Sequence, residues 1–376
     1  AVSRHERVGL LVIVALNLYL EKYLYSPFEF KFTDEFQHWR TTADILTSGH
    51  LFQFNFLLPI SPLYPGLEIL TSAIVQVTGL SIFHAGVIAI GIGRLLLILS
   101  LFLFFEMCSG SARIAGVASL LYVASPHFRF FNSMFAYQSM ALPMAVFALY
   151  LAARLEFSFA NSRLPLKMAM VSTIFALVVT HHLTSFAFIS FLGLWVITAL
   201  LLQRKHLNEQ VPIWTFTLAA VLAGAWIVYV ASDTVGYIVY PLERAILQLI
   251  TMITGDASVG EVFRPPDGPL VERIVSLVMV VVILVGLPVG CWQIWQRYRS
   301  NTLALALALG SFGYFLSLGL RLSAQGAELT GRSWSFLYVS MAFVLAIGLI
   351  YIDQLHIRKY HWIYRALSPA VATLLF

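Results

Sequence analysis

Residues 32–40 read FTDEFQHWR, which brings Asp34, Glu35, His38 and Arg40 within nine positions. Charged residues make up only 11% of the chain, so a cluster of this kind either marks a water edge or does chemistry. A carboxylate between lipid and water is more basic than one in bulk water, because the apolar side penalises its charge. It can then take a proton from a substrate hydroxyl or hold a divalent metal. Adjacent residues on a helix do not face the same way, so Asp34 and Glu35 are not expected to serve one site equally. Asp34 is the first candidate for base or metal ligand and Glu35 the second, with His38 in support.

Four further groups carry chemistry. Arg94 lies inside the apolar run IAIGIGRLLLILSLF. A guanidinium there costs about 2.5–3.5 kcal/mol on insertion scales unless it reaches the interface or binds an anion in a cavity. His181 and His182 interrupt a long apolar stretch. Neighbouring histidines diverge on a helix and do not form the same-face pair of i, i+4 spacing, so each is either a satisfied interfacial imidazole or a single phosphate or metal contact. Glu328 and Arg332 are four apart, the spacing of a surface ion pair. A guanidinium there can alternatively grip a phosphate through two parallel bonds. Arg264, in EVFRPPDGP, is another candidate anion contact.

The elements that must position these groups are membrane helices. The chain has 376 residues, 60% of them hydrophobic, and a mean hydropathy of +0.84. Its apolar runs are long and unbroken, which fits an all-α polytopic membrane protein and not a β-barrel of short alternating strands. Spans are expected near 8–24, 90–107, 112–126, 134–153, 211–231, 271–292, 302–320 and 334–352. The 36 residues from Lys167 to Leu202 would make a helix of about 54 Å, so they are expected to fold into a hairpin with the histidines at its tip. That gives ten spans in a single transmembrane domain, 1–376.

Loop charge decides the ambiguous segment 63–82. If it stays on one side as a juxtamembrane helix, Arg154, Arg163, Lys167, Arg204, Lys205, Arg297, Arg299, Arg358, Lys359 and Arg365 all fall in cytoplasmic loops, as the positive-inside rule asks. The first extracytoplasmic loop then covers 25–89 and another covers 232–270, whose stretch YPLERAILQLITMITG has helical spacing and suits the interface. The unusual polar groups converge on the outer face. Cys108 and Cys291 fall at cytoplasmic helix ends, which offers no extracytoplasmic disulfide. The apolar stretch after Val8 lacks a small-residue cleavage site and reads as a retained span. The last eleven residues are too few for a span, which points to a chain continuing beyond 376. Nothing in this charge pattern speaks for nucleic acid. Walker, HExxH and GxSxG motifs are absent, so ATPase, zinc protease and hydrolase lose support.

The order of these features resembles the GT-C superfamily of polyprenyl-phosphate-sugar-dependent glycosyltransferases, with local similarity to protein mannosyltransferases and aminoarabinose transferases. The resemblance rests on FTDEFQHWRTTADILTSGHLF, on PLYPGLEIL at 62–70 and on the helix led by Arg94. It continues through SLLYVASPHFRFFNSMFAYQSMALPMAVFALYLAARLE and the late ELTGRSWSFLYVSMAFVLAIG. It covers roughly residues 30–160 and 325–350. The resemblance implies a sugar transferase working from a polyprenyl-phosphate donor on the extracytoplasmic face, with inversion at the anomeric carbon. It implies a first-loop carboxylate, here Asp34, as base or metal ligand, and arginines such as Arg94 and Arg332 on the donor phosphate. The histidine comes four residues after Asp34 where the mannosyltransferases have it at three. Tyr137 and Gln138 stand where an acidic residue often opens the fourth span. The acceptor therefore stays open among glycan, lipid and protein, and the cofactor between none and a divalent metal. The competing reading is a flippase or transporter of lipid-linked sugars, which calls for mid-membrane charges and paired broken helices.

Overall fold

The computed structural model describes residues 2–157, 163–202, 211–254, 270–320 and 324–359. Within them the chain forms α1 (Arg4–Tyr25), α2 (Thr33–Ser48), α3 (Gly66–Thr78), α4 (Ile82–Ser109), α5 (Ala112–Val123), α6 (Pro126–Arg129) and α7 (Tyr137–Phe157). There follow α8 (Arg163–Thr180), α9 (His182–Leu202), α10 (Ile213–Tyr229), α11 (Thr234–Thr254), α12 (Leu270–Arg297), α13 (Thr302–Leu320) and α14 (Ala324–Lys359). No strand occurs among the described residues.

Seven of these helices are long and apolar enough to cross a membrane, or nine if two bent pairs each count as one span. The chain is an integral, multi-pass membrane protein. Three of the ten spans expected from the sequence lie outside these seven: two are bent, and the apolar helix at Thr302–Leu318 in α13 is shorter. The stretch expected to cross at 112–126 is a twelve-residue α5 followed by a 70° bend into residues 126–133. The bend falls at Pro126, where a helix starts readily but an existing one does not continue. The run beginning at 211 also breaks, with α10 turning through 104° into α11.

α3 has 13 residues, about 20 Å at the helical rise, which is too short to cross. It packs with α2 against α4, beside the α1–α4 pair. The apolar stretch 167–202 divides at His181, between α8 and α9. Lipid-facing sides are recognisable as exposed apolar residues, such as Leu10, Ile13, Leu20 and Leu24 on α1 and Leu277, Val281, Leu284 and Val285 on α12. Inside, Phe102, Phe105, Tyr122, Leu149, Trp195 and Phe343 form one continuous core. At the α12–α14 seam a side chain on Gly290 would run into the Val344 backbone, and one on Gly348 into the backbone of Gly286. Small residues let these two helices touch backbone to backbone, as dispersion-driven packing in lipid favours.

Candidate functional site

α2 begins with a capping arrangement. The Glu35 carboxylate accepts the backbone N–H groups of Lys31 (3.1 Å) and Phe32 (3.2 Å), the orphan donors at the helix start. It also accepts the Phe135 N–H at 2.9 Å and pairs with Lys22 of α1. Glu35 is completely buried. It therefore ties α1, α2 and the segment before α7 together, and it does not reach the cavity where Asp34 stands. The expected division between neighbours appears as one carboxylate locked inside and the other facing open space.

That space is a cavity of about 370 Å³ walled by Asp34, His127, Phe131, Met134, Ala136, Tyr137, Gln138, Ser139, His181, Gly331, Arg332 and Trp334. Four parts of the chain meet there: the start of α2, the segment from α6 into α7, the α8–α9 tip and α14. An Nη of Arg332 lies 3.8 Å from an Asp34 carboxylate oxygen. Both side chains keep solvent access, 29% for Arg332 and 45% for Asp34. The Gln138 amide donates to the Arg332 carbonyl at 2.6 Å, fixing α14 against the start of α7. Asp34 sits in the first turn of α2, where the helix dipole favours a negative charge.

Behind the cavity runs a chain of buried rings. His38 is fully buried, with Nδ1 2.6 Å from Glu68 Oε1. Its Nε2 accepts the Tyr137 N–H at 3.4 Å. These partners require the proton on Nδ1, donated to the carboxylate. The Tyr137 ring lies 4.5 Å from that of His38 and 4.3 Å from that of His181, and the Tyr137 hydroxyl is buried without a hydrogen-bond partner. His181 binds the Thr184 hydroxyl through Nδ1 at 2.7 Å. Burial, helped by the positive charge of Arg332, holds its imidazole well below the usual histidine range. It is neutral at the tip. His182 faces Tyr64 and Tyr237 and lies off the cavity wall. Gly66 permits this assembly, since a side chain there would collide with Thr180 just before the tip.

The structure does not bring Arg94 to the cavity. It is 1% exposed. Its Nε donates to the Ala15 carbonyl at 3.0 Å, and one Nη donates to the Phe128 carbonyl (2.8 Å) and the Ser133 hydroxyl (2.5 Å). The guanidinium also stacks 3.9 Å from the centre of the Phe128 ring. In place of an anion it holds protein oxygens, and it braces the 126–133 segment behind the cavity wall. Arg264 lies outside the described residues, as does the side chain of Glu328.

Sequence reading missed Lys22 and Glu68. Glu68 carried a signal, being the only charged residue of α3, and one carboxylate in an apolar helix calls for a partner. No group of three or more His, Cys, Asp or Glu arranged to hold a metal occurs among the described residues. A larger groove of about 910 Å³ flanks the cavity, with Val14, Leu18, Leu120, Val123, Val275 and Met279 on its walls and Glu21, Lys22 and Arg129 at one end. The segments carrying Phe32 and Phe130 border this groove, while the adjacent Asp34 and Phe131 border the polar cavity.

No protein-family model matches the chain, and no curated protein matches it. Among solved structures it is similar to the oligosaccharyltransferase of Archaeoglobus fulgidus in the apo form. The TM-score is 0.59 at 16% identity, over 98% of this chain and 52% of that one. It is also similar to ArnT from Cupriavidus metallidurans, bound to undecaprenyl phosphate, with a TM-score of 0.48 at 14% identity over 91% of this chain and 77% of that one. The chain shares the fold of the archaeal oligosaccharyltransferase. The chain spans about half the length of the archaeal protein.

Proposed function

We propose that this chain is a membrane glycosyltransferase that moves a sugar from a polyprenyl-phosphate-linked donor to an acceptor hydroxyl on the extracytoplasmic face. The observation that carries the reading is Asp34 and Arg332 standing together, partly accessible, on the wall of one cavity. The neighbouring apolar groove offers room for the polyprenyl chain, and the GT-C fold supports this class of reaction.

In this reading Asp34 takes the proton of the acceptor hydroxyl as its oxygen attacks the anomeric carbon. The new bond forms between acceptor oxygen and anomeric carbon, while the bond from that carbon to the phosphate oxygen breaks. The electron pair leaves on the phosphate, where the guanidinium of Arg332 meets the growing charge. Attack opposite the leaving group inverts the anomeric carbon. Tyr137, with an unmet hydroxyl, and neutral His181 supply donors beside the phosphate. Glu35, His38 and Arg94 hold the wall in place.

The test is sugar transfer by the purified chain in lipid, from a radiolabelled polyprenyl-phosphate sugar to a panel of glycan, lipid and peptide hydroxyls. Donor binding is followed separately. Release of polyprenyl phosphate with labelled acceptor is the expected result. Donor that binds and returns intact with every acceptor would overturn the reading in favour of a carrier of lipid-linked sugars.

A further inference from the structure

At the end of the bundle away from Asp34, α5, α12 and α14 enclose a second cavity of about 110 Å³. α5 separates the two: Ser111, Arg113 and Ile114 at its start wall this one, while His127, beyond its far end, walls the other. Three features point to a ligand. Arg113 and Arg297 both line the space, Arg113 bonded to Asp353 at 2.7 Å and Arg297 lying 5.5 Å from the centre of the Tyr351 ring. The first turn of α5, capped by Ser111, brings the positive end of a helix to the same place. Gln293 lines the cavity too, 1% exposed, and its Oε1 has no hydrogen-bond partner.

An anion by itself would suit the arginines and the helix end but would leave the Gln293 oxygen unmet, because an anion brings no donor. A phosphodiester that also carries an O–H or N–H satisfies both. Asp353, already engaged by Arg113, adds a negative group that tolerates such a donor. Ile114 and Ile350 give the cavity an apolar side where acyl chains can lie. The loop charges place this end in the cytoplasmic leaflet. We propose that the cavity binds the headgroup of a glycerophospholipid bearing a hydroxyl or amine donor, with its phosphate on Arg297 and Arg113 and its donor on Gln293. A lipid bound there bridges α5, α12 and α14 and so braces the helix that carries Arg332 at its other end.

The test is native mass spectrometry of the purified full chain titrated with phosphatidylglycerol, phosphatidylcholine (a phosphate without a donor) and glycerol 3-phosphate. Phosphatidylglycerol is expected to bind about tenfold or more tightly than phosphatidylcholine. Arg297→Ala should weaken both lipids by at least about tenfold. Gln293→Met, nearly isosteric, should remove the preference between them while leaving phosphate-dependent binding. Thermal unfolding of each variant separates loss of binding from loss of fold. Lipid affinities unchanged in both folded variants would overturn the site. Full displacement of the lipid by glycerol 3-phosphate would overturn the lipid assignment in favour of a soluble phosphate ester.

Discussion

Asp34 and Glu35 are neighbours in sequence, yet they belong to opposite kinds of polar region. Around Glu35 the hydrogen bonds close on themselves. Lys22 and three backbone N–H groups meet the carboxylate inside the protein, and Lys22 also reaches the Ser133 carbonyl. Around Asp34 they do not close. The carboxylate faces a cavity, its cationic neighbour is 3.8 Å away, and a buried tyrosine hydroxyl nearby has no partner. A buried charge whose bonds are met rigidifies a fold, while a charge left beside open volume is available to a ligand. Both are carboxylates adjacent in the chain; the closure of the network distinguishes them.

Removing the base gives the largest expected effect and the sharpest test of that contrast. Asp34→Asn keeps size and most hydrogen bonding, so sugar transfer should fall about 10²–10⁴-fold with the thermal unfolding midpoint unchanged. Near-native turnover would break the assignment. Glu35→Ala should do the reverse. It strands Lys22 and three backbone donors, so unfolding should show a loss of about 3–5 kcal/mol, a stability effect larger than any at Asp34. If Glu35→Ala folds as well as the parent chain but loses transfer, the closed region is part of the chemistry and the comparison fails.

Arg332 gives a smaller, graded effect. Replacement by Ala should lower transfer about 10²-fold, the scale for one donor at developing charge. Arg332→Lys should lie between this and the parent, since it keeps charge but loses the two-pronged geometry. A simple surface pair would cost under about 1 kcal/mol in either variant and leave donor affinity alone.

The smallest effect concerns pH. His181 is held neutral, so the folded state does not take up the proton that the unfolded chain binds below its ordinary value of 6.5. Stability should therefore fall as pH drops below that value, by up to about 1.4 kcal/mol per pH unit from this residue. Comparing unfolding of the parent and His181→Gln at pH 7.5 and 5.5 checks it; identical pH slopes would show that the imidazole protonates in place.

Much of the fold was legible because lipid imposes strong rules on sequence. Apolar runs of spanning length and the helix break at the histidine pair follow from hydropathy and punctuation, and the 63–82 segment was placed by loop charge. The bends after α5 and α10 were less legible, since an apolar run does not say whether its helix continues straight. Asp34 was singled out by its type and place, and Arg332 by the clustering of polar residues; the structure sets both on one cavity wall. Arg94 was found but misassigned. Its insertion cost was read correctly, yet the relief comes from the Ala15 and Phe128 carbonyls and the Ser133 hydroxyl, which lie far from it in sequence. Glu68 went unnoticed because its partner His38 is thirty residues away.

The sequence by itself determined that this is a bundle of membrane helices with its scarce charges in particular places, because burying backbone in lipid leaves few alternatives. Only the tertiary structure decided which charges are spent. Whether a carboxylate or guanidinium is closed by partners or left facing a cavity depends on atoms that meet across distant segments, as Glu35 meets Phe135 and Asp34 meets Arg332. Electrostatic energy at a few ångströms is set by those meetings, and no local pattern in the chain records them.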